Sequence, residues 1–428
     1  MNGSTASPSE RGWLAAAGAV AALACVARFH DAFAFPPLRD FDGPAHALSV
    51  FSLYEGRLPD PHTWAGFHPP LYYALGAALW HVLPASVPVH AALRLLSAAA
   101  GLGAVAIAWR ALARFASRAD AAVVAALVAS APVVAIATSM LGNETLCAFF
   151  ATAVLARLVA MPDDARRLVR HALATGALAG LAALSKSTGL AVAGVATLAY
   201  LWRVRSLGRP ALVAALAAAS SALALAAPFF VWLAITTGSP LALISGGKPS
   251  DAEGSEMAAQ PPGERHLSDY FVVPIAAIAA PFKDAAGMTR SVPGLLYAST
   301  WADGHGEFLP ADRRSVVGAA ALSALLGLAP TGLALAGLVR LVRRREAAAA
   351  APLGYAALLG AAFLAQTWLV PRYSAVKASY LLSALLPASI ALASGVAATG
   401  PRARTVWRVA LLAIAAYASF LTWWGWWT

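Results

Sequence analysis

The chain has 428 residues, 60% hydrophobic and only 12% charged, with 13 tryptophans and a mean hydropathy of +0.68. That balance excludes one or two water-soluble domains and identifies a polytopic membrane protein. The net charge of +11 fits arginine-loaded cytoplasmic loops rather than a nucleic-acid surface.

In chain order, apolar runs long enough to cross a bilayer fall at about 12–31, 89–112, 120–140, 144–161, 168–185, 188–204, 211–236, 315–341, 350–370, 376–399 and 406–427, which makes eleven spans. The first run has almost no basic stretch before it and carries Arg28, His30 and Asp31 ahead of Ala32-Phe33-Ala34. An uncleaved span is therefore expected there, not a signal peptide. A twelfth run, His68 to Leu83, is short, interrupted by His81 and bounded by Pro69-Pro70 and Pro84.

Charge decides whether that twelfth run crosses. If it does not, and the N-terminus is cytoplasmic, five basic clusters share one side: Arg110/Arg114/Arg118, Arg157/Arg166/Arg167/Arg170, Arg203/Arg205/Arg209, Arg340/Arg343/Arg344/Arg345 and Arg402/Arg404/Arg408. Residues 68–83 are accordingly expected to form a juxtamembrane or re-entrant helix. The first loop (32–88) and a long loop (237–314) then face the extracytoplasmic side, with most acids and all histidines except His171. The organisation expected is an N-terminal transmembrane module (1–236), the long loop (237–314) and C-terminal transmembrane helices (315–428). No internal repeat is evident, and no charged or broken helix at mid-membrane is expected. Cys25 and Cys147 lie in apolar runs without metal-ligand or disulfide spacing.

Polar residues in so apolar a chain need a reason. Asp40 and Asp42 lie in a loop leading into a helix at about Pro44; Asp42 suits either an N-cap or a carboxylate placed to accept a proton. His46, four residues on, shares its face, and His68 precedes two prolines that fix an extended backbone. Asn143-Glu144 begins a span, where capping and the helix dipole are one explanation. Lys186 follows in the turn Leu184-Ser185-Lys186-Ser187-Thr188-Gly189 of the same face, where snorkelling is the plain alternative. Asp303 and His305 stand among glycines in Trp301-Ala302-Asp303-Gly304-His305-Gly306, as a turn would require. Finally, Arg372, Tyr373 and Lys377 occupy the last outer loop, Lys377 about one turn inside an apolar segment. An ionisable group there costs roughly 2.5–3.5 kcal/mol to insert, which marks a functional candidate, and an anionic lipid phosphate would be a natural partner.

Taken in order, Asp42-Gly43-Pro44-Ala45-His46, Gly56-Arg57-Leu58-Pro59, His68-Pro69-Pro70-Leu71-Tyr72-Tyr73, Arg94-Leu95-Leu96-Ser97, Asn143-Glu144-Thr145-Leu146, Leu184-Ser185-Lys186, Gly238-Ser239-Pro240-Leu241 and Trp301-Ala302-Asp303-Gly304 resemble the GT-C superfamily of membrane glycosyltransferases. The nearest resemblance is to its protein O-mannosyltransferase-like and aminoarabinose-transferase-like branch, and it covers most of the chain. It implies an all-α GT-C fold with juxtamembrane helices in the first outer loop. It also implies transfer of a sugar, with inversion, from a polyprenyl-phosphate donor to a hydroxyl acceptor at the extracytoplasmic face, in what would be a bacterial plasma membrane.

By the same resemblance Asp42 is the base and Glu144 supports the acceptor or the site. Lys377, Arg372 or Lys186 binds the lipid phosphate, and no cofactor or metal is required. Many such proteins carry Asp-Glu where this chain has Asp42-Gly43. Either Asp40 substitutes for the missing acid, or the donor or acceptor differs, or activity is reduced. The competing readings are a transporter or flippase of lipid-linked saccharides and an inactive scaffold.

Overall fold

The computed structural model describes residues 8–36, 40–84, 86–241, 255–256 and 259–425. Arg39, residues 242–254 and 257–258 of the long loop, and residues 426–427 of the last expected span lie outside the described residues. The chain runs through α1 (Pro8–Ala34), two short helices α2 (Gly43–Tyr54) and α3 (Leu71–Val82), then α4 (Val89–Leu112), α5 (Arg118–Ser130), α6 (Pro132–Ser139), α7 (Glu144–Val159), α8 (Ala165–Ser185), α9 (Gly189–Trp202), α10 (Val204–Leu207) and α11 (Arg209–Thr237). Beyond the long loop come Arg314–Arg344, Ala347–Leu369, Leu385–Ala398 and Pro401–Trp424.

Each of the eleven expected spans is helical over most of its described residues, the one at 376–399 passing through 3₁₀ turns before its α-helix begins at Leu385. Nine helical segments among the described residues are long and apolar enough to cross a membrane, and α5 with α6 forms a tenth span bent by 53°. The remaining expected span, α7, has 16 residues, about 24 Å at 1.5 Å per residue, just short of the roughly 17 residues at the lower limit for a crossing helix. By contrast α3 has only 12 residues, about 18 Å, and ends at Leu83-Pro84, so the run at 68–83 does not cross.

The bend in the tenth span corrects the expectation of unbroken helices. Pro132 has no N–H to donate, and Ala131 before it is extended at φ −55° and ψ 134°, so the helix stops and restarts there. The first span also hides a charged pair. Arg28 and Asp31 are buried, with Nη1 to Oδ2 at 3.8 Å, and Ser139 Oγ on the broken span donates to Asp31 Oδ2 at 3.3 Å. Arg28 lies six residues from the end of α1, about 9 Å along the axis, so the pair sits toward one end of the bundle rather than at its middle.

Small residues let the helices approach closely, as association in lipid requires. A Cβ at Gly176 of α8 would lie 2.2 Å from the Ala218 carbonyl oxygen of α11, and Gly180, one turn on, meets Ala222 in the same way. Gly337 and Gly395 play this part between Arg314–Arg344 and Leu385–Ala398, where added Cβ atoms would lie 1.8 Å and 2.0 Å from the carbonyl oxygens of Ala391 and Leu333. The two halves of the chain are packed together: α1 and α5 both lie against Pro401–Trp424.

Successive spans alternate in direction, so their ends sort into two sets. The five arginine clusters gather at one end, where Arg408 Nε donates to Asp120 Oδ1 at 2.8 Å and Arg203 pairs with Asp163. The first loop, the α6–α7 and α8–α9 turns and residues 370–384 meet at the other.

Candidate functional site

At that second end, Asp42 holds the N-cap position of α2 but makes no side-chain capping bond. Pro44 at the start of the helix has no N–H to cap, and the carboxylate turns instead to other elements. Its Oδ1 accepts from Trp64 Nε1 at 3.1 Å, and its Oδ2 faces Lys377 Nζ at 3.4 Å. Ala65, next to Trp64, is left-handed at φ 68°, a conformation costing a non-glycine residue about 1–2 kcal/mol, and it keeps the Trp64 ring turned toward Asp42. Arg372 covers the other face of this assembly, its guanidinium carbon 5.8 Å from the centre of the Trp64 ring. Burial alone would raise the Asp42 carboxyl, but Lys377 and then His46, together with the Trp64 N–H, hold it below the usual aspartate range.

Lys377 does not lie one turn inside a helix, as its sequence position suggested. It is extended, at φ −113° and ψ 131°, between the short 3₁₀ turns Tyr373–Ala375 and Ala378–Ala384, and helix resumes only at Leu385. His305 fixes this break: its Nε2–H donates to the Val376 carbonyl at 2.9 Å. The ammonium group thus leaves the apolar segment and reaches the first loop, lying 4.2 Å from the Phe41 ring centre and 5.7 Å from that of Tyr380.

A second lysine–carboxylate pair lies alongside. Asn143 occupies the N-cap of α7 without capping it, and Glu144 Oε1 accepts from Lys186 Nζ at 2.6 Å. Both side chains are largely buried, 17% and 13% exposed, so Lys186 is engaged rather than snorkelling. Its ammonium lies 4.5 Å from the ring centre of Tyr380, which therefore stands between the two lysines.

The histidines complete the wall. His46 Nδ1 and the Tyr73 hydroxyl are 2.8 Å apart, and the His46 and His68 rings stack with centres 5.8 Å apart. Burial lowers both, His68 to about 3, so the His68 ring is neutral near pH 7 and acts as a hydrogen-bonding group rather than a cation.

Asp40 takes a different place from Asp42. Its Oδ1 accepts from Phe41 N–H and its Oδ2 from Leu141 N–H, both at 2.7 Å, which ties the first loop to the α6–α7 turn. Burial pushes its carboxyl up to about 7 against the pull of the Leu141 N–H, Arg94 and the Phe41 N–H. Position 43 is coupled to it: a Cβ at Gly43 would lie 2.5 Å from Asp40 Cβ and 2.7 Å from Asp40 Oδ2. The side chain of Asp40 thus fills the space that any side chain at 43 would need. Arg94 anchors the start of the loop, donating to the carbonyls of Phe35 at 2.5 Å and Pro36 at 2.9 Å.

Asp303 closes its own turn by accepting from Phe308 N–H at 2.6 Å and Leu309 N–H at 2.7 Å, and burial raises it to about 6. Tyr373 stacks loosely on His305 and lies under Lys283, which pairs with Glu307 at 2.9 Å.

Two cavities flank Lys377 and Phe41. The first is lined by Asp40, Asp42, His46, Glu144, Lys377 and Ser379 among others. The second is bordered by Ser299, Asp303, His305, Ala378 and Ser379. The first offers one ammonium group, Lys377, to an anion and one carboxylate, Asp42, to a proton. Among the described residues no three His, Cys, Asp or Glu side chains converge on a metal position. Of the expected site residues, Asp40, Asp42, His46, Glu144 and Lys377 line the first cavity, while Asp303 and His305 line the second. Lys186, His68, Arg372 and Tyr373 stand behind these. Trp64 and Phe41 were not expected, and Tyr380 was expected near Lys377 on a related face but not as a binding residue. Trp64 sits in an aromatic-rich loop where one indole is indistinguishable from an interfacial anchor, and Tyr380 follows Lys377 by three residues, the only local hint of it.

No protein-family profile matches the chain, and no curated protein matches it. Solved structures do. The fold is similar to that of ArnT from Cupriavidus metallidurans in the apo state, with a TM-score of 0.58 at 15% identity over 97% of this chain and 76% of that one. ArnT bound to undecaprenyl phosphate matches with a TM-score of 0.51 at 14% identity, over 97% and 76%. The Archaeoglobus fulgidus oligosaccharyltransferase in its apo form matches with a TM-score of 0.51 at 17% identity; it covers 97% of this chain, which spans only 56% of that protein. The chain shares the fold of these structures, the GT-C fold.

Proposed function

We propose that the chain is an inverting glycosyltransferase that moves a sugar from a polyprenyl-phosphate donor to a hydroxyl acceptor at the extracytoplasmic face of a bacterial plasma membrane. One observation carries this reading: Asp42, Glu144 and Lys377 surround one cavity at the bundle end opposite the arginine clusters. The GT-C fold supports it, and one of the similar structures holds undecaprenyl phosphate. A polyprenyl tail would lie between spans while its head group meets the loops. Protein, lipid and envelope glycan all offer suitable hydroxyls.

In this reaction the acceptor hydroxyl gives its proton to Asp42 as its oxygen bonds to the anomeric carbon. The bond from that carbon to the phosphate oxygen breaks on the opposite face, and its electron pair leaves with the phosphate. Lys377 and Lys186 stabilise that charge, with Arg372 close by. Trp64 orients the carboxylate, and no cofactor is required for such a leaving group.

The bent span α5–α6 is the one feature that favours a lipid-linked saccharide flippase. A flippase would deliver the labelled lipid to the other leaflet with its sugar–phosphate bond intact. The decisive experiment supplies purified protein with a panel of labelled polyprenyl-phosphate sugars and envelope membranes as acceptor. Transfer is expected for the wild type and a fall of about 10²–10⁴-fold for Asp42→Asn at matched expression. Undiminished transfer by the variant would remove Asp42 as the base, and movement without cleavage would replace the transferase reading by the flippase.

A further inference from the structure

The long loop carries a short segment whose apolar side chains point away from the protein. Leu267 is 69% exposed, Phe271 75%, Val272 56%, Val273 55% and Ile275 85%. Five large apolar groups within nine residues are too many to leave in water beside a folded domain, and the segment is not loosely attached. Two charged groups in and just before it face inward: Asp269 is buried and accepts from Arg290 at 3.4 Å, while Arg265 donates to the carbonyls of Arg290 at 2.5 Å and of Arg372 at 3.2 Å.

Its level along the bundle follows from its neighbours. Tyr270 bonds Thr367 at 3.1 Å, and its ring lies 5.9 Å from that of Trp368, at the final turn of the span Ala347–Leu369. Just after it, Ala276–Ala279 packs against the span Arg314–Arg344. The segment therefore lies at the end of one membrane-spanning helix and leads into a turn packed on another. There its apolar row is continuous with the exposed Leu364, Trp368 and Leu369 of the first of them.

We infer that residues 267–275 dip into the bilayer and hold this end of the protein against the acyl chains of the adjoining leaflet. Aromatic and aliphatic groups at helix ends are suited to that boundary. Polar contacts on the inner side and apolar groups on the outer side are the arrangement a half-immersed loop needs, since its buried backbone must be satisfied by protein. The inner contacts also connect the segment to Arg372, and so to the stretch of chain that carries Lys377.

The test uses the full chain reconstituted in lipid vesicles, with Cys25 and Cys147 replaced by alanine. Single cysteines at Phe271, Ile275 and, as a water-facing control, Glu264 receive an environment-sensitive fluorophore. Emission at 271 and 275 is expected to be blue-shifted and quenched at least twofold by lipids brominated on the acyl chain, while 264 reports water. Equal water exposure at all three positions would overturn the inference. So would a dry environment at 271 and 275 that brominated chains fail to quench, because a second protein copy would then be the covering surface. Folding is controlled by requiring each labelled variant to elute with the unlabelled protein and keep its helical circular dichroism.

Discussion

Replacing Gly43 by alanine adds a single methyl group, yet it should disturb the first loop around Asp40 and Asp42. The added Cβ would start 2.5 Å from Asp40 Cβ, whereas carbon atoms settle at roughly 3.5–4.0 Å. One of the two must move by about 1 Å. The Asp40 side chain yields only by leaving the Leu141 or Phe41 N–H, each held at 2.7 Å, and a hydrogen bond to a charged group is worth about 1.5–3 kcal/mol. At roughly 2.1 cal/mol/K per residue over 428 residues, that corresponds to a Tm lower by about 2–3 °C. If Gly43 moves instead, Asp42 moves with it, and a displacement of about 1 Å can cost on the order of 10²-fold in rate. The assay is a double-mutant cycle with Asp40→Gly, measured by thermal unfolding in detergent and by sugar transfer. The loss caused by Gly43→Ala should shrink to below about 1 kcal/mol once Asp40 is removed, which leaves a coupling of about 1–3 kcal/mol. A Gly43→Ala protein with wild-type Tm and transfer, or one equally damaged in both backgrounds, would refute the reasoning.

Three further outcomes are expected. Glu144→Gln or Lys186→Met alone leaves a charge largely buried without its partner, at a cost of about 3 kcal/mol; the double variant should regain more than half of the lost Tm, and strictly additive losses would show that the pair is not coupled. Asp40 and Asp303, raised to about 7 and about 6, favour the folded state fully below about pH 4, where both states are protonated. As pH rises the unfolded carboxyls ionise first, so Tm should fall between about pH 4 and pH 7. Asp40→Asn should flatten that slope; a slope unchanged in the variant would remove Asp40 as its source. Asp42, lowered rather than raised, contributes stability that is lost as pH falls from the ordinary aspartate range toward its own lower pKa, below this window. With the native cysteines replaced, Ser86→Cys should react with an impermeant maleimide from outside the cell and Ser206→Cys should not; reversed labelling would invert the proposed orientation.

The spans were legible because twenty apolar residues in a row leave little alternative, and the sorting of arginines to one end identified the crossing that does not occur. Individual polar residues were harder to read. Asp42 and Asn143 both fit an N-cap by position, and neither side chain caps its helix. Capping is a local preference, worth about 1 kcal/mol, and Lys377, 335 residues further along the chain, outweighs it. A contact at that separation leaves no local mark. The bend at Pro132 was readable in principle, since the missing N–H and the extended preceding residue follow from one proline, but an unbroken apolar run concealed it. Gly43 read as a missing acid. In the fold it is instead the vacant half of a pair, because the space belongs to Asp40.

The two lysine–carboxylate pairs bear on the order of events in the proposed reaction. With Lys377 at 3.4 Å, Asp42 is held below the usual aspartate range, which makes it a poor base while the site holds no other anion. A phosphate arriving at Lys377 would compete for that ammonium, and every increment of charge drawn off Asp42 raises its basicity. Glu144 and Lys186 stand in the same relation, with Tyr380 between the two ammonium groups. Donor binding would then precede activation of the acceptor hydroxyl, because the base gains its strength only after the leaving group is in place. In the proposed reaction a lysine in this position would neutralise the departing phosphate and would also restrain the base until the donor is bound.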